Sequence, residues 1–124
     1  MIIMFVKDGK NIIRDWLSGG QVNHPTYAAI GSIGTIEAGS STGLLYEITA
    51  IRRPFDSLSI QDQQVEFEMI VPSTDPVGEM PIYFREIGIF NGSPTGSMFS
   101  RSAFAEIEKT EDIEFQTITA FRII

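Results

Sequence analysis

The sequence predicts a mainly β protein, an antiparallel β-sandwich with one short N-terminal amphipathic helix, forming a single domain over residues 1–124. Three observations predict it. Val65, Phe67, Met69 and Val71 alternate with Glu66, Glu68 and Ile70, the period of a strand with one face on a core. Glycine, proline and asparagine punctuate several such runs with no helical pattern between them, which suits antiparallel sheets rather than βαβ units. Helical spacing occurs only near the N-terminus.

That helix is expected over about residues 8–18. Asp8 can cap its start, Ile12, Ile13, Trp16 and Leu17 share one face, and Gly19-Gly20 supply a stop. About three turns are marginal alone, so the apolar face is expected to dock, against the same chain. Short strands are expected at residues 26–31 and 44–52, joined through Gly31, Gly34, Gly39 and Gly43. After the strand at 65–71, three prolines between residues 72 and 81 favour a long exposed loop. Residues 82–90 then pair with 97–105 through a hairpin at Asn91-Gly92.

The closing strand, residues 113–124, is apolar on both sides. Phe115, Thr117, Thr119, Phe121 and Ile123 share one face, and Ile118, Ala120 and Ile124 the other. Such a strand is central in a sheet or covered by a partner, which makes Ile118, Ala120 and Ile124 candidates for an interface.

Composition narrows the function. The 124 residues carry nine basic and sixteen acidic side chains, a net charge of −7 that repels phosphate backbones and anionic lipid, so neither nucleic acid nor membrane is an expected partner. The chain has no cysteine, which excludes disulfides and thiolate chemistry. Residues 1–6 are apolar but lack a basic leader and are far shorter than the roughly 20 residues of a spanning helix, so neither a signal peptide nor an anchor is expected.

No catalytic, metal or cofactor constellation emerges. His24 precedes Pro25, in an extended or turn conformation, and no serine sits in an elbow motif that it could serve. Gly31 and Gly34 lack the lysine and following helix of a phosphate cradle. Glu106, Glu108, Glu111, Asp112 and Glu114 lack the glycine turn of a calcium loop and read as a solvated acidic turn. Glu86 is the informative charge, since alternation turns it the same way as Ile82, Phe84 and Phe90. A core-facing carboxylate needs a cationic partner, and Arg52, Arg53 and Arg101 are the candidates for a structural ion pair that sets register.

The order of motifs adds a resemblance. An N-terminal helix closed by glycine leads to Pro25-Thr26-Tyr27-Ala28-Ala29-Ile30-Gly31, then Gly34-Thr35, Glu47 and Arg52-Arg53, then the segment Arg85-Glu86-Ile87-Gly88-Ile89-Phe90. Ser100-Arg101-Ser102-Ala103-Phe104 and the closing strand complete the set. This series resembles small virion structural proteins of tailed bacteriophages, of the tail-fibre, baseplate and tail-collar-like kind, over nearly the whole chain. It departs from their pattern at Ile36-Glu37-Ala38-Gly39, where they carry a proline-containing stretch, and at Ser100 in place of alanine.

The resemblance implies a non-catalytic component made in the host bacterial cytoplasm and assembled into the virion tail. It would act in several copies, in contact with other tail, fibre or baseplate proteins. A carbohydrate- or receptor-binding module of a fibre, using Trp16, Tyr27, Tyr46 or Tyr83 for stacking, is the alternative of a different class, as is a capsid decoration protein.

Overall fold

Because successive side chains of a strand point to opposite faces, each apolar row must find cover, and two sheets facing each other provide it. The computed structural model describes residues 2–5, 7–21, 23–33, 44, 46–93 and 96–122. In chain order the elements are β1 (Ile2–Phe5), α1 (Lys7–Leu17), β2 (Tyr27–Gly31), a 3-10 turn (Thr49–Ile51), β3 (Arg53–Pro54), β4 (Ser57–Gln61), β5 (Gln64–Val71), β6 (Ile82–Phe90), β7 (Met98–Lys109) and β8 (Phe115–Arg122). One sheet has the order β1-β7-β6-β2-β3 and the other β4-β5-β8, with antiparallel pairing throughout. The fold is the antiparallel sandwich with one N-terminal helix that the sequence predicts.

Between the sheets lie Ala28 and Ile30 of β2, Ile87 and Ile89 of β6, and Met69 and Val71 of β5. Aromatic rings extend this layer. Phe67 stacks on Phe55 at 4.5 Å and meets Phe121 edge-on at 5.7 Å, while Phe84 meets Phe115 at 5.1 Å. Such pairs contribute about 0.5–1.5 kcal/mol each beyond the area they bury. On the opposite face of the large sheet, Ala29, Phe90 and Met98 form a second buried cluster against Leu44.

Several elements differ from expectation, each for a local reason. Residues 44–52 were expected to be a strand, yet Tyr46 has a positive φ of 52°, Glu47 only bridges to Gly31, and a 3-10 turn follows. That turn buries both Ile48 and Ile51, three apart, which an extended chain would send to opposite faces. The strand β4 and its two-residue turn at Asp62 and Gln63 escape the sequence reading, because serines at 57 and 59 dilute the apolar signal of Leu58 and Ile60. Asn91-Gly92 does not make a two-residue hairpin; Asn91 donates its backbone N–H to the Ser97 carbonyl and accepts the Ser97 N–H on its side-chain Oδ1.

The acidic run is also divided. Glu106 and Glu108 belong to β7, and only residues beyond Lys109 turn. Among the described residues β8 is not a central strand: it lies at one end of the three-stranded sheet, and Ile118 is 52% exposed on its outer face.

Helix α1 begins at Lys7, with Asp8 in its first turn rather than at the cap. Its buried residue is Gly9, where a Cβ would collide with the carbonyl oxygen of Phe99 on β7. The helix therefore lies directly on strand backbone at its N-terminal end. Alanine usually exceeds glycine in helix stability by about 1 kcal/mol. Here the sign is expected to reverse: Gly9→Ala should lower unfolding stability by about 1–3 kcal/mol in urea titrations, since overpacking outweighs propensity. A stabilised variant would contradict the close helix–strand approach.

Candidate functional site

The residues singled out by the sequence motifs come together on the outer face of the large sheet. Glu86 of β6 is paired in register with Gly31 of β2 and Ala103 of β7, and Gly88 with Arg101. A ladder irregularity between Phe84 and Glu86 breaks strict alternation. Phe84 consequently turns inward to Phe115, while Glu86 takes the face opposite its neighbour Ile87. The expectation that Glu86 follows Phe84 is corrected by that irregularity.

Arg101 Nε and Nη2 donate to Glu86 Oε2 at 2.8 and 2.6 Å, and the two side chains are 3% and 0% exposed. The carboxylate lies over Gly31, where any Cβ would overlap it. A Cβ at Gly88 would likewise meet the Phe90 ring at 2.8 Å and the Leu44 side chain at 2.9 Å. Both glycines thus serve as space for larger neighbours rather than for unusual dihedrals. Breaking such a pair by removing one member costs about 3–5 kcal/mol, because the other charge stays buried. A carboxylate sealed from water and bonded to guanidinium holds strands together; it offers nothing to a substrate.

Arg52 and Arg53 do not share this role. Arg52 bonds Glu47 through Nη2 at 2.5 Å and Nε at 2.9 Å, reaches the Gly92 carbonyl, and lies 3.7 Å from the centre of the Phe90 ring. This arginine ties two loops over the second cluster. Arg53 donates to Asp75 at 2.8 Å and to the Ile51 carbonyl at 3.1 Å. Arg52 is thus engaged by Glu47, and Arg53 by Asp75 of the loop at 72–81.

Sequence reasoning missed Lys109. It is fully buried, and its Nζ donates to the carbonyls of Ser73 at 3.1 Å and Thr110 at 2.9 Å, with Met80 Sδ at 3.5 Å. Together with the Arg53–Asp75 pair it fastens residues 72–81 to the sandwich, so this loop is exposed at Val77 but buried at Pro76. Burial pulls the Lys109 pKa below 10.5, against the opposing pull of Asp75 and Glu111. A lone lysine in an acidic run gave no sign of this in the sequence.

The helix face is only partly covered. Ile12 packs on the core, Ile13 and Trp16 are 37% and 60% exposed, and Leu17 is 72% exposed. Close anchoring at Gly9 leaves the C-terminal end of α1 overhanging. There Ile13 and Trp16 face Val65, Phe67 and Phe121 across an apolar groove of about 330 Å³, with exposed His24 on its rim. Ala120 is half-buried opposite Glu66, Ile118 lies opposite Glu68, and Ile124 falls outside the described residues. Among the described residues, no three carboxylate or imidazole groups converge as a metal site, and no helix is long and apolar enough to cross a membrane.

Two outcomes are expected. Glu86→Gln should destabilise the fold by about 3 kcal/mol in urea denaturation, because the buried Arg101 guanidinium loses its carboxylate counter-charge; an unchanged midpoint would contradict the tie. For Lys109 the folded pKa lies below the unfolded one, so the unfolded chain binds the extra proton between them. Stability relative to Lys109→Met should therefore rise as pH climbs through the depressed pKa towards 10.5, and a falling difference would contradict its burial. No protein-family model matches the chain, and no curated protein matches it significantly.

Proposed function

We propose that this protein is a non-catalytic assembly component of a bacteriophage tail, placed near the fibres or baseplate. The observation that carries the reading is the convergence of three separated motifs on one sealed cluster. Gly31 of the first, Glu86 and Gly88 of the second and Arg101 of the third meet at the buried ion pair. The motifs behind the resemblance are therefore devices that hold a fold, and a shared fold without exposed chemistry suits a structural part. The three-stranded sheet supports the same reading, because both its edges are unpaired among the described residues and Leu58, Ile60 and Ile118 stand exposed on them.

A second reading, glycan binding, has one observation in its favour. Trp16 borders a polar hollow with Gln21, Asn23 and His24, an arrangement in which a sugar ring can stack on indole and bond to amides. Tyr27, Tyr46 and Tyr83 are not part of that hollow.

Co-expression with the tail, fibre and baseplate proteins of the same phage is expected to give a co-purifying complex, and mass spectrometry of purified virions to find the chain in several copies per tail. Absence from virions together with failure to co-purify would overturn the assembly reading. Glycan-array binding abolished by Trp16→Ala would favour the second reading instead.

A further inference from the structure

A strand at the edge of a sheet leaves half of its backbone donors and acceptors unpaired, and most proteins guard such edges with charge, proline or a bulge. β4 has none of these. Its five residues, Ser57-Leu58-Ser59-Ile60-Gln61, are all exposed, pair regularly with β5 on one side, and pair with nothing on the other among the described residues.

Its two faces differ in a useful way. Leu58 and Ile60 stand opposite Phe67 and Val65, so they belong to the inward face of the small sheet. Phe67 is buried there, but Leu58 is 53% and Ile60 70% exposed. The small sheet overhangs, and its apolar inner surface continues past the cover that the large sheet supplies. On the outward face, Ser57 and Ser59 stand opposite Glu68 and Glu66. These carboxylates accept from neutral amides, Gln116 and Gln64, and no ion pair engages either among the described residues. Asp56 and Asp62 flank the two ends of the strand.

Resting on the assembly reading above, we propose that β4 is the docking edge for an extended segment of a different protein, one in which apolar residues alternate with lysine or arginine. Added as a fourth strand, such a segment pairs its backbone with Ser57–Gln61. Its apolar residues cover Leu58 and Ile60, and its basic residues reach the Glu66 and Glu68 row and the flanking aspartates.

A second copy of this chain fits poorly. The two-fold register that pairs the whole strand, centred on Ser59, sets Asp56 of each copy against Asp62 of the other. It also joins two bodies each of net charge −7. The charge pattern calls for a basic partner.

The test uses the full chain and three end-capped nine-residue peptides. One alternates lysine and valine, one alternates glutamate and valine, and one carries the lysines and valines in two blocks. Fluorescence anisotropy is expected to show the lysine–valine alternation binding at least about tenfold tighter than either other peptide, and more weakly as salt rises. Hydrogen exchange is expected to slow at residues 57–61 when that peptide binds. Ile60→Lys, at a solvent-exposed position, should leave the melting temperature within a degree or two and abolish binding; Leu58→Lys should repeat the result.

Equal binding of the block peptide, protection elsewhere than residues 57–61, or slowed exchange there on self-association alone would each overturn the proposal. If Ile60→Lys still co-purifies with tail proteins while no peptide binds, the docking edge falls and the assembly reading stands. If the alternating peptide binds but virions lack the chain, the reverse holds.

Discussion

The buried pair between Glu86 and Arg101 is the constraint on which the large sheet depends. Slipping β6 against β7 by one residue would separate the two and leave each charge sealed in a medium where an unpaired ion costs several kcal/mol. Register is fixed by that penalty more than by the energy the pair itself contributes. Its geometry reaches a third strand as well, because only glycine at position 31 leaves room for the carboxylate between β2 and β6. β2, β6 and β7 form the middle of the sheet, so their alignment sets where Ile30, Ile87 and Ile89 meet the small sheet.

The pairing of a five-stranded sheet with a three-stranded one then creates the surface features. Phe67, Met69 and Val71 of the central strand β5 are buried, while β4 beside it is exposed along its length. At the helix end the close approach of Gly9 to β7 anchors α1 but leaves Trp16 and Leu17 outside. Both features belong to a sandwich whose halves do not fully overlap. Cohesion is tight at the middle of the sandwich, and its margins are open and apolar.

Legibility in the sequence followed physical distance from the core. β5 was readable because Val65, Phe67, Met69 and Val71 alternate with two glutamates and face one well-defined core. Glu86 stood out because a charge inside an apolar strand demands a partner, and Arg101 was among the three arginines that the residues suggested. Choosing among them needed register and the break at Phe84, which no local pattern encodes. β4 was hidden by its serines, and its significance lies in what fails to cover it, a tertiary property. Lys109 was hidden for the opposite reason: the carboxylates near it in sequence, Glu108 and Glu111, are exposed, while two of its three bonding partners, Ser73 and Met80, lie about thirty residues away in the loop at 72–81. The turn at Ile48 and Ile51 shows the same limit, since two apolar residues three apart fit a strand or a turn until a core chooses.

The proposed assembly role and docking edge are tested together by a density map of the phage tail with this chain traced. Several copies are expected beside the fibres or baseplate, each keeping Glu86 and Arg101 sealed within its own fold and each presenting β4 to a strand of a different protein. A tail without the chain, or copies whose β4 edge faces solvent while another surface makes every contact, would contradict that expectation.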